Sequence, residues 1–305
     1  MVFNIMVRVR YSFGSRHTGK LKNIKKQRGK YPDVMKGVVD ISDIVLEVLD
    51  SRFVEETRNE ALEKRLKKSG KKVVFVLNKA DLVNVASVKK KLKKDMTPVV
   101  FVSTKTGIGS RNLRERIRIE ASRIKLDEKI IKGDFEDRKK KGMSANTQIR
   151  KKVHVGIVGY PNVGKSSLIN LITRRGVAKT SKQAGFTKGM QKIRLTDKIL
   201  ILDTPGVIPE SKYSSYSKKA FSRDAMLGAR SHSDVKNPED VVNFLMGEHS
   251  DEIEKYYKID VGGSTDDLIE KVGKEKNFLE KGGKIDIDRT SRLIIRDWQS
   301  GAMKK

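Results

Sequence analysis

Cysteine is absent from this chain of 305 residues, which excludes disulfides, thiolate zinc sites and cysteine nucleophiles. The absence is typical of a reducing compartment and predicts no disulfide-linked partner. Histidine is also scarce, and the four histidines stand at no spacing that suits a metal site. No apolar run approaches the roughly 18 residues that a membrane helix needs, so we expect a soluble chain without a membrane partner.

Acidic residues are few compared with basic ones. The sequence has 67 Lys and Arg against 38 Asp and Glu, which gives a formal net charge of +29 and a pI near 10.1. Solubility alone needs a net charge of only about 2 to 8 in a small domain. The excess therefore predicts a polyanionic partner, with nucleic acid as the leading candidate.

The first 36 residues contain ten Lys and Arg residues and a single acid, Asp33. A segment with arginine and serine but almost no acid is typical of a mitochondrial transit peptide. The alternation over residues 7–11 is instead typical of a strand, and the same composition suits an arm that lies on RNA. We expect residues 1–36 to be a basic arm in a cytoplasmic protein, with a mitochondrial location as the alternative.

Beyond the arm, short apolar runs alternate with charged amphipathic stretches. The apolar runs predict buried strands at 44–49, 73–77, 99–102, 153–158 and 199–202. The stretches that follow the first three runs predict helices at 54–69, 84–95 and 111–124. This alternation predicts an α/β fold with a doubly wound, mostly parallel sheet. Mixed charges and few aromatics over about 126–152 predict a linker.

After residue 235 the pattern is helical only. Asn237, Pro238 and Glu239 place a capping side chain, a first-turn proline and an acid in the order that a helix start prefers. A further helix is predicted over residues 289–299, and Gly301 stands in the position of its C-terminal cap. We therefore expect residues 236–305 to form a small α-helical C-terminal domain.

A phosphate-binding loop is predicted directly after the strand that ends at residue 158. Residues 159–166 match the pattern G-x-x-x-x-G-K-[ST] between a strand and a helix, as the mechanism of such a loop requires. Backbone N–H groups would surround the phosphates, Lys165 would reach the outer ones and Ser166 would ligate Mg²⁺. The residues expected to contact the nucleotide are Asn162, Val163, Gly164, Lys165, Ser166 and Ser167.

A second phosphate element is Asp203-Thr204-Pro205-Gly206, which again follows a predicted strand. Asp203 would hold the magnesium ion through water, and the Gly206 N–H would contact the terminal phosphate. The tetrapeptide alone is a weak signal, but at this separation behind a phosphate-binding loop it is a strong one.

A base-reading element is predicted where two other strands end. The Asp81 carboxylate can accept both guanine donors, N1–H and the N2 amino group, whereas adenine offers no such pair. Asn78 would read the opposite edge and brace the loop, and the Lys79 stem would pack on the ring face. Backbone N–H groups of a second loop would meet guanine O6, and the residues expected there are Ser103, Thr104 and Lys105.

The base-reading element precedes the phosphate-binding loop, which is the wrong order for an ordinary GTPase. A fold tolerates such a circular permutation when its original ends lie close together, because a linker can join them and new ends can open at another loop. The stretch 126–152 is the linker that this arrangement requires.

With this order of motifs, the sequence resembles the circularly permuted GTPases of the YlqF/YawG family, which act in assembly of the large ribosomal subunit. The resemblance covers about residues 40–305. It includes Asp50-Ser51-Arg52, similar to the family's Asp-Ala-Arg, and Arg296-Asp297-Trp298 near the C-terminus. It implies that residues 37–235 form a permuted GTPase domain with the P-loop fold.

The resemblance also implies ligands and partners: GTP, GDP and Mg²⁺, the large ribosomal subunit or its precursors, and rRNA. By the same resemblance, Thr187 is the switch threonine that closes on magnesium. Asn162 matches a P-loop asparagine that holds K⁺ in similar GTPases, and a residue that only braces the loop is its alternative role. The chain departs from the family pattern at Ala184, where proline is usual, and at Thr104, where alanine is usual.

The residue after Gly206 is Val207, where Ras-type enzymes carry the glutamine that orients the attacking water. Hydrolysis would therefore depend on positioning and charge, supplied by Lys165, Asn162, Thr187 and Gly206, or on a group from outside. Two alternative functions stay open. One is a nucleotide-regulated RNA-binding scaffold with little hydrolysis, and the other is a permuted GTPase for small-subunit or organellar ribosome maturation.

Overall fold

The structure is a computed structural model. It describes residue 37 and residues 40–124, 152–173, 191–203 and 218–304. The basic arm, almost all of the predicted linker, Ala184, Thr187 and the pair Gly206-Val207 lie outside the described residues, so the predictions made for them stay predictions.

Six strands form one sheet in the order β3-β2-β1-β4-β6-β5. All neighbouring strands are parallel except β5, which pairs antiparallel with β6 at one edge. The predicted α/β fold with a mostly parallel sheet is confirmed. The strands are Ile44–Asp50 (β1), Lys72–Asn78 (β2), Val99–Phe101 (β3), Val153–Gly159 (β4), Gln191–Arg194 (β5) and Ile199–Asp203 (β6).

Helices follow most strands, and the C-terminal part of the described chain is helical apart from one isolated antiparallel bridge between Leu279 and Ile285. The predicted crossover helices are confirmed, although the first is split in two at Arg58 and Asn59. The helices are Val54–Thr57 (α1), Glu60–Lys68 (α2), Val85–Lys91 (α3), Ser110–Ser122 (α4), Lys165–Thr173 (α5), Lys218–Met226 (α6), Pro238–Tyr257 (α7), Thr265–Glu275 (α8) and Ile287–Ser300 (α9). Short 3-10 turns are Ala80–Leu82, His232–Asp234 and Ala302–Lys304.

The centre of the sheet joins the two parts of the permuted chain. Strand β1 pairs in parallel with β2 on one side and with β4 on the other. All seven residues of β1 are buried, which explains its nearly continuous apolar sequence, because helices cover both faces of such a sheet. The carboxyl ends of β2, β3, β4 and β6 therefore meet at one edge, which is where ligands bind in open α/β sheets.

The C-terminal helices share a hydrophobic core with the sheet. One contiguous buried cluster includes Val48 of β1, Phe53 after it, Leu245 of α7 and Trp298 of α9. The Trp298 indole N–H donates to the carbonyl of Met226 at 3.2 Å, so the ring is buried without an unsatisfied donor. These helices thus lie against the carboxyl edge of the sheet.

Helix ends agree with the sequence at α9 and differ at α7. Gly301 has φ = 76° and its N–H bonds to carbonyls of the last turn of α9, as a C-terminal cap does. Pro238 begins α7 as predicted, but the Asn237 side chain makes no capping hydrogen bond and instead donates to the Asp240 carboxylate at 3.3 Å. No helix within the described residues is long and apolar enough to cross a membrane.

Candidate nucleotide-binding site

The phosphate-binding loop, residues 159–166, leaves β4 and enters α5 with two glycines in conformations that other residues rarely adopt. Gly164 has φ = 98°, and a Cβ there would lie 2.3 Å from Nδ2 of Asn78. Gly159 has φ = 152°, and its Cβ would lie 2.4 Å from the carbonyl oxygen of Val48. Both positions therefore require glycine for steric reasons, and the concave backbone that results is the shape that receives phosphate oxygens.

Lys165 is held inside this loop. Its ammonium donates to the carbonyl oxygens of Tyr160 at 2.9 Å and Gly159 at 3.1 Å. Burial lowers the pKa of Lys165 to about 8, and the negative charge of Asp203 opposes that shift only in part. The desolvated cation at the N-terminus of α5 is suited to phosphate, because both the charge and the helix dipole favour an anion there.

Ser166 and Asp203, the two residues expected to hold Mg²⁺, lie together. The Ser166 hydroxyl donates to Oδ2 of Asp203 at 3.4 Å, and the Asp203 side chain is buried at the end of β6. A hydroxyl and a carboxylate beside a phosphate-binding loop are ligands that suit Mg²⁺, directly or through water. Ser167 follows on α5 and is half-buried.

Asn78 braces the site by bonding to two loops. Its Nδ2 donates to the carbonyl of Val163 at 2.7 Å and to the Thr104 hydroxyl at 3.4 Å, and its Oδ1 accepts from the Thr104 N–H at 3.1 Å. One side chain at the end of β2 therefore ties the phosphate-binding loop to the loop after β3. The hydroxyl that distinguishes Thr104 from alanine takes part in this contact.

The rest of the base-reading loop, residues 78–82, is exposed at its tip. Lys79 is left-handed at φ = 61°, and its ammonium pairs with Oδ2 of Asp50 at 2.8 Å. Asp81 is exposed on the turn that follows, and Ser103 is buried, with its hydroxyl accepting from the Thr106 N–H at 3.1 Å. Lys105 is exposed beside them. The structure gathers these residues at one edge, and their contacts with guanine stay predictions.

Two contacts of the phosphate-binding loop had no signal in the sequence. Asn162, left-handed at φ = 58°, donates from Nδ2 to the carbonyl of Gly228 at 2.7 Å, just beyond α6. The Tyr160 hydroxyl donates to Oδ1 of Asp224 on α6 at 2.9 Å. A bracing role of Asn162 is therefore present in the structure. The predicted phosphate-binding loop is therefore hydrogen-bonded directly to α6 and to the segment after it.

Known proteins similar to this chain are named as GTP-binding proteins. Residues 154–278 match the family model described as 50S ribosome-binding GTPase. An uncharacterized GTP-binding protein of Methanocaldococcus jannaschii is 35% identical over 274 residues, which is 88% of this chain and 65% of that relative. Nucleolar GTP-binding protein 2 of Yarrowia lipolytica is 30% identical over 292 residues, which is 93% of this chain and 50% of that relative.

Among solved structures, YlqF from T. maritima with GNP bound is similar to this chain. The TM-score is 0.56 at 21% identity, and the match covers 89% of this chain and 94% of that one. At this identity the likeness concerns the fold, and it confirms the permuted arrangement of the P-loop domain. The chain spans between 45% and 65% of the length of the curated relatives it matches.

Proposed function

We propose that the chain hydrolyses GTP to GDP and phosphate as a switch in assembly of the large ribosomal subunit, because residues 154–278 match the family model described as 50S ribosome-binding GTPase. The observation that carries the proposal is the 2.7 Å hydrogen bond from Asn78 Nδ2 to the Val163 carbonyl. It joins a loop suited to guanine with a loop suited to phosphates, so that a single guanine nucleotide spans both.

The chain's own groups account for binding and positioning. Lys165 exchanges its two carbonyl partners for the outer phosphate oxygens, and the N-terminus of α5 adds its dipole. Ser166 and Asp203 would hold Mg²⁺, together with Thr187. When bound, the ion would neutralise negative charge on the outer phosphates. Val207 offers no group that can polarise the attacking water. Hydrolysis would therefore depend on holding the γ-phosphate in line with that water.

We further propose that Asn162 contributes a ligand to a potassium ion beside the phosphates. Phosphate release from GTP should then be several times faster in K⁺ than in Na⁺, because the ion places positive charge where it develops in the transition state. Asn162→Ala should abolish the difference. Release measured from GTP and ATP in both salts tests the hydrolysis and the ion role together.

The variant Asn162→Asp distinguishes a role of Asn162 in binding K⁺ from its role in bracing the loop. This variant keeps side-chain oxygens for a cation but loses the donor to the Gly228 carbonyl. It should retain faster release in K⁺, whereas a purely bracing residue would leave both variants equally slow in the two salts. Release from ATP at the rate of GTP would contradict the guanine assignment.

The proposed partner is the RNA of large-subunit particles, and a basic groove suits it. Three arginines at positions 111, 114 and 118 share one face of α4, since residues three and four apart on a helix are neighbours. They line a groove of about 550 Å³ together with Glu115, Ile172, Thr173, Leu195 and Thr196. Arginine forks at this spacing fit successive phosphates of a nucleic-acid backbone.

Replacing all three arginines of this groove by Gln should weaken binding to large-subunit particles about tenfold at ~0.1 M salt and lower the salt slope by about 2. Lys89, Lys90 and Lys91 on α3 provide a control, because they are exposed and their replacement by Gln removes the same charge. Cosedimentation in the GDP state and with a non-hydrolysable GTP analogue measures both. Equal losses in the two triple variants would exclude the groove as a specific contact.

The scaffold alternative makes a different prediction for the same particles. A switch should bind them more tightly with the GTP analogue than with GDP, and the particles should accelerate phosphate release by ordering the switch segments. A nucleotide-regulated scaffold with little hydrolysis should show no acceleration of phosphate release.

A further inference from the structure

The turn after β1, residues 50–52, lies between the base-reading loop and the C-terminal helix α9. Ser51 donates from its hydroxyl at 2.7 Å and from its N–H at 2.8 Å to the carbonyl of Asn78. Asp50 pairs with the next residue, Lys79, at 2.8 Å. The turn therefore holds the first two residues of the base-reading loop, Asn78 and Lys79.

Asp50 is the centre of this arrangement. Its side chain is 1% exposed and accepts from the Arg52 N–H at 3.0 Å, from Arg52 Nε at 3.0 Å and from Arg52 Nη2 at 2.8 Å. Burial raises the pKa of Asp50, but Lys79 and Arg52 together outweigh burial and hold it well below its usual value. A buried anion between two cations fixes both of them, since removal of the Asp50 carboxylate would leave both cations uncompensated.

Arg52 extends the chain of contacts to α9. Its Nη1 donates to the carbonyl oxygen of Trp298 at 3.2 Å, in the last turn of that helix. A cation at this end is favoured, because the last carbonyls of a helix lack intrahelical partners and carry partial negative charge. The arginine fork thus binds a carboxylate that orients Lys79 and, at the same time, the end of the C-terminal helix.

A second contact joins the same two elements without charge. A Cβ on Gly301, the residue that caps α9, would lie 2.3 Å from Cδ1 of Leu82. Leu82 is the last residue of the base-reading loop and follows Asp81 directly. The end of α9 is therefore connected to both ends of this loop. It contacts Leu82 directly, and it reaches Lys79 through Arg52 and Asp50.

We propose that Asp50 and Arg52 are positioning residues that set Lys79 for the guanine ring and make base affinity depend on the docking of α9. The inference rests on the proposed role of residues 78–82 in reading guanine. The effect is reciprocal by linkage. If docking of α9 tightens guanine binding by a given factor, guanine binding raises the equilibrium constant for docking by the same factor. A large-subunit particle that displaces α9 would thereby weaken the contacts to guanine and lower nucleotide affinity.

Arg52→Lys tests the inference, because lysine keeps the charge but cannot span the carboxylate and the helix carbonyl. The dissociation constants of GDP and of a non-hydrolysable GTP analogue should rise by the same factor, about tenfold, while kcat at saturating GTP stays unchanged. Trp298 is the only tryptophan and lies against Phe53, with ring centroids 6.1 Å apart. Its fluorescence should change when GDP binds the wild type and should not respond in Arg52→Lys.

Arg292→Lys is the matched control. Arg292 lies on α9 itself and, like Arg52, joins a carboxylate, Asp288, to a backbone carbonyl, that of His232 at 2.7 Å, but it does not touch the base-reading loop. This variant should keep wild-type nucleotide affinity and the Trp298 response. Leu82→Ala leaves the ion pairs intact and should show a smaller loss of the same kind.

The proposal is overturned if Arg52→Lys, folded by circular dichroism, keeps wild-type GDP affinity and the Trp298 response. It is equally overturned if Arg292→Lys loses as much affinity, since the effect would then be one of general stability. An error in the guanine assignment itself would appear elsewhere, as unaltered base preference when Asp81 is replaced.

Discussion

Asp81→Asn should shift the base preference of the chain from guanine nucleotides to xanthine nucleotides. The carboxylate offers two acceptors to guanine, and a charge-assisted hydrogen bond contributes about 1.5 to 3 kcal/mol. Asparagine keeps one acceptor, which suits N1–H, but turns its amide donors toward the N2 amino group, and the loss of one such bond corresponds to a fall in GTP affinity of about ten- to a hundredfold. The asparagine amide can instead donate to the C2 carbonyl that distinguishes xanthine, so XTP binding should rise.

The position of Asp81 makes this variant a clean one. Asp81 is exposed on the turn of residues 80–82, so its replacement leaves no buried charge unpaired and should not destabilise the fold. Asp266→Asn, at an exposed position in the first turn of α8, is the control for loss of one negative charge. Titration of fluorescent GTP, XTP and ATP analogues decides the matter. Wild-type protein that binds ATP as well as GTP would contradict the prediction.

The sequence was sufficient for the parts of the site that depend on local backbone geometry. The two glycines at 159 and 164 mark a turn that only glycine can make, and apolar runs bounded by turns mark strands buried on both faces. Because parallel strands end at a common edge, the sheet then had to bring Asn78, Ser103, Lys165 and Asp203 together. The permuted order did not obscure this, since topology depends on which strands pair and not on where the chain begins.

Contacts to backbone carbonyls could not be predicted in this way. Arg52 and Trp298 are separated by 246 positions, and the acceptor is a main-chain oxygen that any residue at position 298 would supply. The same holds for Asn162 and the carbonyl of Gly228. Such bonds depend on the docking of whole helices. The structure places α6 and the residues after it against the phosphate-binding loop, and the end of α9 against the turn that holds the base-reading loop.

Gly164→Ala should abolish most nucleotide binding, for both GDP and GTP. Alanine at φ = 98° is strained, and its Cβ would lie 2.3 Å from Asn78 Nδ2, the group that braces the loop through the Val163 carbonyl. Backbone strain costs about 1 to 3 kcal/mol, and loss of the brace about 1 kcal/mol more. The sum corresponds to affinity lower by about thirty- to a thousandfold.

A glycine elsewhere separates strain from crowding. Gly70 also has a positive φ, 64°, but a Cβ there would meet nothing within 4 Å. Gly70→Ala should therefore lose some stability and keep wild-type nucleotide affinity.

Asn78→Ala removes the atom that Gly164→Ala would strike. The double variant of Asn78 and Gly164 should therefore bind no worse than the poorer single one, because the two changes break the same contact. Isothermal titration with GDP measures all four proteins. Additive losses in the double variant would show that Asn78 and Gly164 act independently, and the brace would then have no part in shaping the loop.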